Sequence, residues 1–435
     1  MIQRLRESIR QKPTFRILGT AVIDQAMLSG ANFLVGVLLV RYAGDADYGY
    51  YVLAQSAVLL LTGAQSSWIN GPLAVLAPKK TEDERRGMVG AVEVVQSRVL
   101  RWVAALALVV PLIGYLLHLL TAESAMAAGA TVLACWAALL REYRRGVLQL
   151  YGRPHLVLAA DVLYVVGLIG TAGLAAAGVE PRMVCAVLSL AVGGWLGGQM
   201  ADRFLRRDPG WTPAEAAPVF RELRQLGNWA MAGAVIYWTF GQGFNYVVAG
   251  QLGVAAVATL NAARLLMQPT FVLTMGIKQA LLPMVSRWLH ELGLVAVLRR
   301  LTVVVLVLAV LNTLYLGMVW GVLDWLTNDF LRKNIPDRDM LVLLWAAHSM
   351  VNMVRDMYLS SMLAMERFQI LTGLTALTAF VALAVMWPAT AHFGLRGAIY
   401  GLITGEVTYM VLMFVLIAQS VRRLKPGALA AAKAP

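Results

Sequence analysis

The chain has 435 residues, of which 59% are hydrophobic and only 14% are charged. A soluble domain carries about 25% charged residues, so this composition excludes an ordinary soluble protein. The net charge of +13 could suit a nucleic-acid-binding protein, but basic residues on one side of a membrane explain it, and no nucleic-acid partner is expected.

Long apolar stretches recur along the whole chain. A stretch of about 20 apolar residues can cross a bilayer as a helix. The sequence therefore predicts an all-α, polytopic membrane protein with about twelve transmembrane helices. The predicted spans, numbered 1 to 12 in chain order, are 17–40, 50–77, 99–120, 125–148, 155–178, 183–201, 228–250, 254–282, 301–326, 340–363, 370–390 and 396–419.

Basic residues alternate from one connection to the next. They crowd the N-terminal segment, the connections after even-numbered spans and the C-terminal tail, whereas the connections after odd-numbered spans hold more acidic than basic residues. Lys and Arg concentrate on the cytoplasmic side of membrane proteins, so both termini are expected in the cytoplasm. Basic residues on that side include Arg4, Arg6, Arg10, Lys12, Lys79, Lys80, Arg206, Arg207, Arg299, Arg300, Arg422 and Arg423.

The long polar connection between spans 6 and 7 divides the chain into two halves of six spans. We predict an N-lobe at 1–207, a cytoplasmic linker at 208–226, and a C-lobe with a cytoplasmic tail at 227–435. Arg355-Asp356 at the end of span 10 lies 214 residues after Arg141-Glu142 at the end of span 4. An even number of spans per half gives two parallel, pseudo-symmetric lobes around a central cavity, a layout of alternating-access transporters.

Polar stripes follow the first two spans of each half. Charged groups inside a membrane are costly and usually face a cavity, which singles out Arg264 and Lys278 on span 8. Small polar stripes also occur where membrane helices simply pack closely, and that alternative stays open. Pro269 is expected to kink span 8. The predicted substrate cavity is formed by Arg264, Lys278, Asn261, Gln268, Gln55, Asn32, Asn245 and Tyr237.

Further charged residues are assigned two other roles. Arg141 and Arg355 are candidates for a cytoplasmic gate or for the first contact with an incoming headgroup, against the alternative of a topogenic, helix-capping cluster. Asp24, Asp161 and Glu406 are candidate ion-coupling carboxylates. No catalytic residue, metal site or cofactor is expected beyond a coupling ion, H⁺ or Na⁺.

The end of span 1 resembles a known signature. Gly44-Asp-Ala-Asp-Tyr-Gly-Tyr-Tyr51, after Leu-Leu-Val-Arg41-Tyr-Ala, is similar to the Leu-Gly-x-x-Glu/Asp-Tyr-Gly-x-Tyr pattern of bacterial polysaccharide-export flippases. These flippases belong to the multidrug/oligosaccharidyl-lipid/polysaccharide exporter superfamily, which also contains O-antigen flippases, lipid II flippases and MATE exporters. The charged Gly-Arg-Pro and Glu-Arg-Phe segments after spans 4 and 10 add to the resemblance.

The resemblance implies a flippase in the bacterial inner membrane with a MATE-like fold and a rocker-switch mechanism. Its substrate would be a glycan on a polyprenyl pyrophosphate, moved across the membrane for surface or exopolysaccharide export. The cationic cavity typical of the family matches Arg264 and Lys278, and Asp24 resembles the span 1 acid of MATE exporters. The expected partners are the lipid bilayer, the lipid-linked anionic glycan and a polysaccharide polymerase or export machinery, with the protein itself monomeric.

Other functions compete with the flippase. A MATE-type exporter of organic cations would be expected to have an acidic or apolar cavity, and this one is basic. A polytopic glycosyltransferase could use Asp45 and Asp47 as a metal site, and a membrane subunit of a polysaccharide-secretion complex would need no cavity chemistry. Lipid II is a less expected substrate, because lipid II flippases have two additional C-terminal spans that this chain lacks.

Overall fold

The computed structural model of the protein describes residues 13–206, 216–365 and 367–431. All regular elements in these ranges are helical, which confirms the predicted all-α fold. The names span 1 to span 12 are kept below for the helices that correspond to the predicted spans.

The first six spans follow one another with short connections. Span 2 contains a π-helical turn at Ser66–Asn70 between two α-helical parts. Thr81 caps span 3, since its hydroxyl accepts from the backbone N–H of Glu84 while the Glu84 carboxylate accepts from the backbone N–H of Thr81. The helices are Pro13–Tyr42 (span 1), Asp45–Gln65, Gly71–Leu76 and the 3₁₀ turn Ala77–Lys79 (span 2), Glu82–Leu116 (span 3), Ala122–Leu150 (span 4), Pro154–Ala176 (span 5) and Arg182–Arg206 (span 6).

The second six spans include two breaks that the sequence explains. Span 8 is interrupted at Met267, two residues before Pro269, which cannot continue the hydrogen-bond ladder and confirms the predicted kink. Gly293 has a φ of 76°, a conformation that favours glycine, and its non-helical backbone separates span 8 from span 9. The helices are Ala216–Leu252 (span 7), Val254–Leu266 and 268–292 (span 8), 294–321 (span 9), Arg338–Ala364 (span 10), Phe368–Phe393 (span 11) and Leu395–Ala431 (span 12).

Nine helices in the described part of the chain are long and apolar enough to cross a membrane. Spans 7, 8 and 10 fall short of that measure. The first part of span 8, Val254–Leu266, is apolar but too short to cross a membrane by itself, because the break at Met267 ends it.

The contacts divide the chain into two compact units, Met1–Trp238 (unit 1) and Thr239–Pro435 (unit 2). The boundary lies inside span 7, beyond the predicted linker at 208–226. Residues 208–215 of that linker lie outside the described residues, and 216–226 form the first turns of span 7. Span 7 begins early because its first part packs on span 2 of unit 1, where Phe220 lies against Trp68 with ring centroids 6.1 Å apart.

The same pairs of helices pack in both units. In unit 1, span 4 contacts spans 2, 3 and 6, and span 6 contacts span 5. In unit 2, span 10 contacts spans 8, 9 and 12, and span 12 contacts span 11. This repeated pattern agrees with the internal duplication expected from the sequence. It makes spans 4 and 10, which carry the repeated arginine-acid pair, the central helix of each unit.

Candidate functional site

Span 4 places three arginines inside unit 1. Arg144 and Arg145 lie three and four residues after Arg141, which brings all three to neighbouring positions on one side of the helix. Because span 4 is surrounded by spans 2, 3 and 6, their guanidinium groups extend between helices of the same unit.

The first part of this cluster joins spans 1, 4 and 5. Asp161 accepts from Arg141 Nη2 at 2.5 Å and from Arg145 Nε at 2.8 Å. Arg145 Nη2 also donates to Asp24 Oδ2 at 2.6 Å. The Arg141 guanidinium lies 3.8 Å from the ring centroid of Tyr164, at the distance of a cation–π contact. Two arginines and two aspartates thus balance one another in charge.

The second part of the cluster joins spans 3, 4 and 6. Arg144 donates to Glu93 Oε1 from Nε at 3.0 Å and from Nη2 at 2.9 Å. Its Nη1 donates to the carbonyl of Gly198 at 3.0 Å, and Asp202 lies 3.4 Å away. Hydrogen bonds between ionised groups are stronger than neutral ones, but removing one partner of a buried pair costs about 3–5 kcal/mol. The cluster therefore fixes the mutual positions of the helices it joins.

Unit 2 contains a second chain of charges, here called the unit 2 charge cluster and formed by Lys278, Asp356, Arg355 and Glu406. Asp356 Oδ2 accepts from Lys278 Nζ at 3.0 Å, and its Oδ1 accepts from Arg355 Nη2 at 2.8 Å. Arg355 Nη1 lies 2.8 Å from Glu406 Oε2, an ion pair in distance but not aligned as a hydrogen bond. The cluster joins spans 8, 10 and 12.

Neutral polar groups complete the surroundings of Glu406. Asn352 Nδ2 donates to Glu406 Oε1 at 3.2 Å, and His348 Nε2 lies 3.9 Å from the same oxygen. His348 is buried and stands edge-on to the ring of Trp345, with centroids 5.4 Å apart. A carboxylate, an amide and an imidazole therefore meet in the interior of unit 2.

Arg264 lies among aromatic rings. Its guanidinium carbon is 5.6 Å from the centroid of Phe244, 5.8 Å from that of Phe271 and 5.4 Å from that of Trp345. Ring faces attract a cation without neutralising its charge. The side chain is partly exposed.

The remaining predicted cavity residues fall into pairs within each unit. Asn261 Nδ2 donates to Asn245 Oδ1 at 2.8 Å in the interior of unit 2. Gln55 Nε2 reaches Asn32 Oδ1 at 3.4 Å in unit 1. Each pair lies within one unit. A joint role of the two pairs in one cavity stays a prediction. Tyr237 in unit 1 is exposed, and Gln268 in unit 2 is partly exposed.

The structure adds a detail to the gate prediction for Arg141 and Arg355. Both are largely buried and ion-paired within their own units, with side chains 12% and 5% exposed. Their role as a gate stays a prediction, to be weighed against this structural pairing. The three predicted coupling acids, Asp24, Asp161 and Glu406, each lie against an arginine.

Several residues of the two clusters were not singled out from the sequence. Arg145 lies four residues after Arg141, and this spacing was a usable signal that both share a helix face. Asp356 belongs to the sequence repeat, but the repeat alone does not indicate its partner. Arg144, three residues after Arg141, carried the same signal, whereas Glu93, Asp202 and Asn352 gave none, because their partners are distant in sequence.

Comparison with solved structures identifies the fold. No protein-family model and no curated protein matches the sequence. An inward-facing multidrug resistance MATE family transporter of the MOP superfamily matches with a TM-score of 0.74 and 12% identity, over 92% of this chain and 96% of that chain. The lipid II flippase MurJ matches with a TM-score of 0.73 and 10% identity, over 93% and 87%. A MATE transporter from Vibrio cholerae matches with a TM-score of 0.59 and 14% identity, over 94% and 97%. The chain has the fold of these exporters and flippases.

Proposed function

We propose that the protein is a flippase that moves a polyprenyl-pyrophosphate-linked oligosaccharide across the bacterial inner membrane by alternating access. It would serve surface or exopolysaccharide export and would act as a transporter, without catalysing a covalent step. The proposal joins the sequence resemblance to a fold shared with a lipid II flippase and with MATE exporters.

One observation carries the choice of an anionic substrate. In each unit, one ion pair that joins neighbouring helices has a basic partner that is clearly more exposed than its acid. The side chain of Arg145 is 19% exposed against 5% for Asp24, and that of Lys278 is 24% exposed against 4% for Asp356. The buried carboxylates hold the cations in place while the accessible edge stays positive. Lys and Arg at such an edge suit a pyrophosphate, which offers several acceptor oxygens.

The other parts of the substrate would meet different surfaces. Amides such as Asn32 and Gln55 match sugar hydroxyls in donor and acceptor capacity. The polyprenyl tail would stay in the surrounding lipid. A coupling ion, H⁺ or Na⁺, acting at Asp24, Asp161 or Glu406 would drive transport only by binding one state more tightly than the other.

A transport assay in proteoliposomes tests the proposal. With a lipid-linked oligosaccharide as substrate, Arg264→Ala should lower the rate about tenfold, a loss comparable to one charge-assisted contact. Arg300→Ala is the matched control, because Arg300 also lies over a ring, Trp288 at 4.9 Å, but is exposed in the first turns of span 9. An R264A variant that transports as fast as wild type would remove Arg264 from the substrate path.

The second candidate is a MATE-type, cation-coupled exporter of small molecules, which the fold similarity favours equally. The same proteoliposomes separate the two functions. Accumulation of a cationic dye without movement of the lipid-linked glycan would select the exporter. Native mass spectrometry of the purified protein would identify co-purified lipid-linked glycan, test for a monomer, and detect a bound polymerase or export subunit.

A further inference from the structure

Lys278 is the most exposed member of the unit 2 charge cluster. Its side chain is 24% exposed, whereas those of Asp356, Arg355 and Glu406 are 3–5% exposed. The cluster therefore has a buried part, formed by three residues of spans 10 and 12, and one accessible cation supplied by span 8. An ion that approaches this edge of the unit meets the lysine first.

Asp356 does not depend on Lys278 for its neutralisation. The neighbouring Arg355 approaches its Oδ1 with two nitrogens, Nη2 at 2.8 Å and Nε at 3.2 Å, whereas Lys278 contacts Oδ2. Removing the sole partner of a buried charge is strongly unfavourable. Because this arginine, which also pairs with Glu406, stays in place, Asp356 keeps a basic partner when Lys278 leaves.

Lysine chemistry suits such a departure. The ammonium group is a compact charge with three donors at the end of a flexible stem, whereas guanidinium forms rigid, paired contacts. Lys278 makes one hydrogen bond to Asp356 at 3.0 Å. A rotation of its side chain replaces that bond with a bond to another anion while Arg355 stays in place.

We propose that Lys278 is an exchangeable cation, on which the phosphate oxygens of an anionic ligand take the place of the Asp356 carboxylate. This inference rests on the proposed function in taking the ligand to be the diphosphate of the transported lipid. Asp356 is then a specificity-determining residue. It competes with the ligand for the lysine, so that an anion with a single weak charge does not displace it and a diphosphate does.

In unit 1, the residue that corresponds to Asp356 is contacted by an uncharged amide. Arg141-Glu142 is the counterpart of Arg355-Asp356 in the sequence repeat. There span 2 supplies Asn70, whose Nδ2 donates to the backbone carbonyl of Glu142 at 3.1 Å. This amide is uncharged and contacts the backbone of Glu142, whereas Lys278 contacts the carboxylate of Asp356, so the exchange is assigned to unit 2.

Labelling of lysine amines in the full-length wild-type protein in detergent tests the exchange. The probes are farnesyl pyrophosphate, inorganic pyrophosphate and acetate, and acylation of each lysine is followed by peptide mass spectrometry. We expect both diphosphates to protect Lys278 several-fold and acetate to have no effect. Lys80 is the internal control, because it is paired with Glu222 at the same 3.0 Å, and its labelling should not change. Unaltered labelling of Lys278 at saturating diphosphate would overturn the proposal.

Variants test the competition by Asp356. Asp356→Asn should bind farnesyl pyrophosphate several-fold more tightly, because Lys278 loses its competing acid while Arg355 keeps Glu406. Lys278→Gln should weaken binding, and the double variant should show no gain. Glu222→Gln is the matched control and should leave affinity unchanged. A D356N protein that binds no more tightly, or a gain that persists without Lys278, contradicts the exchange, and the wild-type labelling decides the question where D356N does not fold.

The outcomes separate this inference from the proposed function. Protection of Lys278 by inorganic pyrophosphate, without transport of a lipid-linked oligosaccharide, keeps the exchange and rejects the flippase. Transport that depends on Arg264 but proceeds unchanged in Lys278→Gln keeps the flippase and rejects the exchange.

Discussion

Arg145 Nη2 lies 2.6 Å from Asp24 Oδ2 and joins span 4 to span 1 across 121 residues of sequence. Both side chains are largely buried, so Arg145→Gln leaves Asp24 as a poorly compensated buried charge. We expect this variant to lose about 3 kcal/mol of stability in unit 1. The apparent melting temperature of the purified protein in detergent measures the loss.

A double variant separates the charge effect from lost packing. Adding Asp24→Asn to R145Q removes the stranded carboxylate, so part of the lost stability should return. Arg145 also contacts Asp161, which keeps Arg141 as a partner, so the recovery is expected to be incomplete. A double variant that is less stable than R145Q would show that the pair is not the source of the effect.

Gly227 marks the close approach of span 7 to span 2. A Cβ atom at this position would lie 2.5 Å from the carbonyl oxygen and 2.8 Å from Cδ1 of Trp68. Gly227→Ala should therefore cost about 1–3 kcal/mol by overpacking against the backbone. It should also weaken the neighbouring hydrogen bond of 2.9 Å from Trp68 Nε1 to Asn228 Oδ1, and tryptophan fluorescence should report the change.

The control for Gly227 lies on the same helix. A Cβ atom at Gly233 would meet nothing within 4 Å. Gly233→Ala should be neutral or should stabilise the helix by about 1 kcal/mol, because alanine has the higher helix propensity. Equal melting temperatures for G227A and G233A would contradict the close contact.

A second glycine pair tests the packing of spans 5 and 6. A Cβ atom at Gly167 would lie 2.8 Å from Leu196 Cδ1 and 3.0 Å from Gly193 Cα. Small residues let membrane helices approach closely, so Gly167→Ala should separate the helices and lower the melting temperature. Gly170, three residues further along span 5, faces open space, and Gly170→Ala should not lower it.

The sequence predicted the all-α fold and most of its helices well, because both follow from apolar length and local signals. The break at Met267 was predictable from Pro269, and the positions of most spans were predictable from the long apolar stretches of the sequence. The extent of span 7 was not, because its first turns are polar and their helical state depends on packing against Trp68 of span 2.

The candidate site was predictable in its residue types but not in its pairings. Arg264, Lys278, Asp24 and Glu406 were identified because charge inside a membrane is costly wherever it occurs. The sequence does not specify that Asp24 lies against Arg145 or that Lys278 lies against Asp356. Lys278 and Asp356 are 78 residues apart in the sequence, and Asp24 and Arg145 are 121 residues apart. Whether such residues meet depends on how their helices are rotated and packed, which only the tertiary structure shows.

Arg355 provides the sharpest test of the predicted gate. Its side chain is 5% exposed and lies between Asp356 and Glu406, so Arg355→Gln should lower stability by stranding Glu406. In the double variant R355Q/E406Q neither charge is stranded, and we expect the melting temperature to recover. We expect the double variant to transport more slowly than wild type per folded molecule, in a proteoliposome assay normalised to reconstituted protein, because Lys278 is then held as the partner of Asp356 and a candidate coupling acid is lost. Transport at the wild-type rate by a double variant with a recovered melting temperature would contradict a role of Arg355 in the gate.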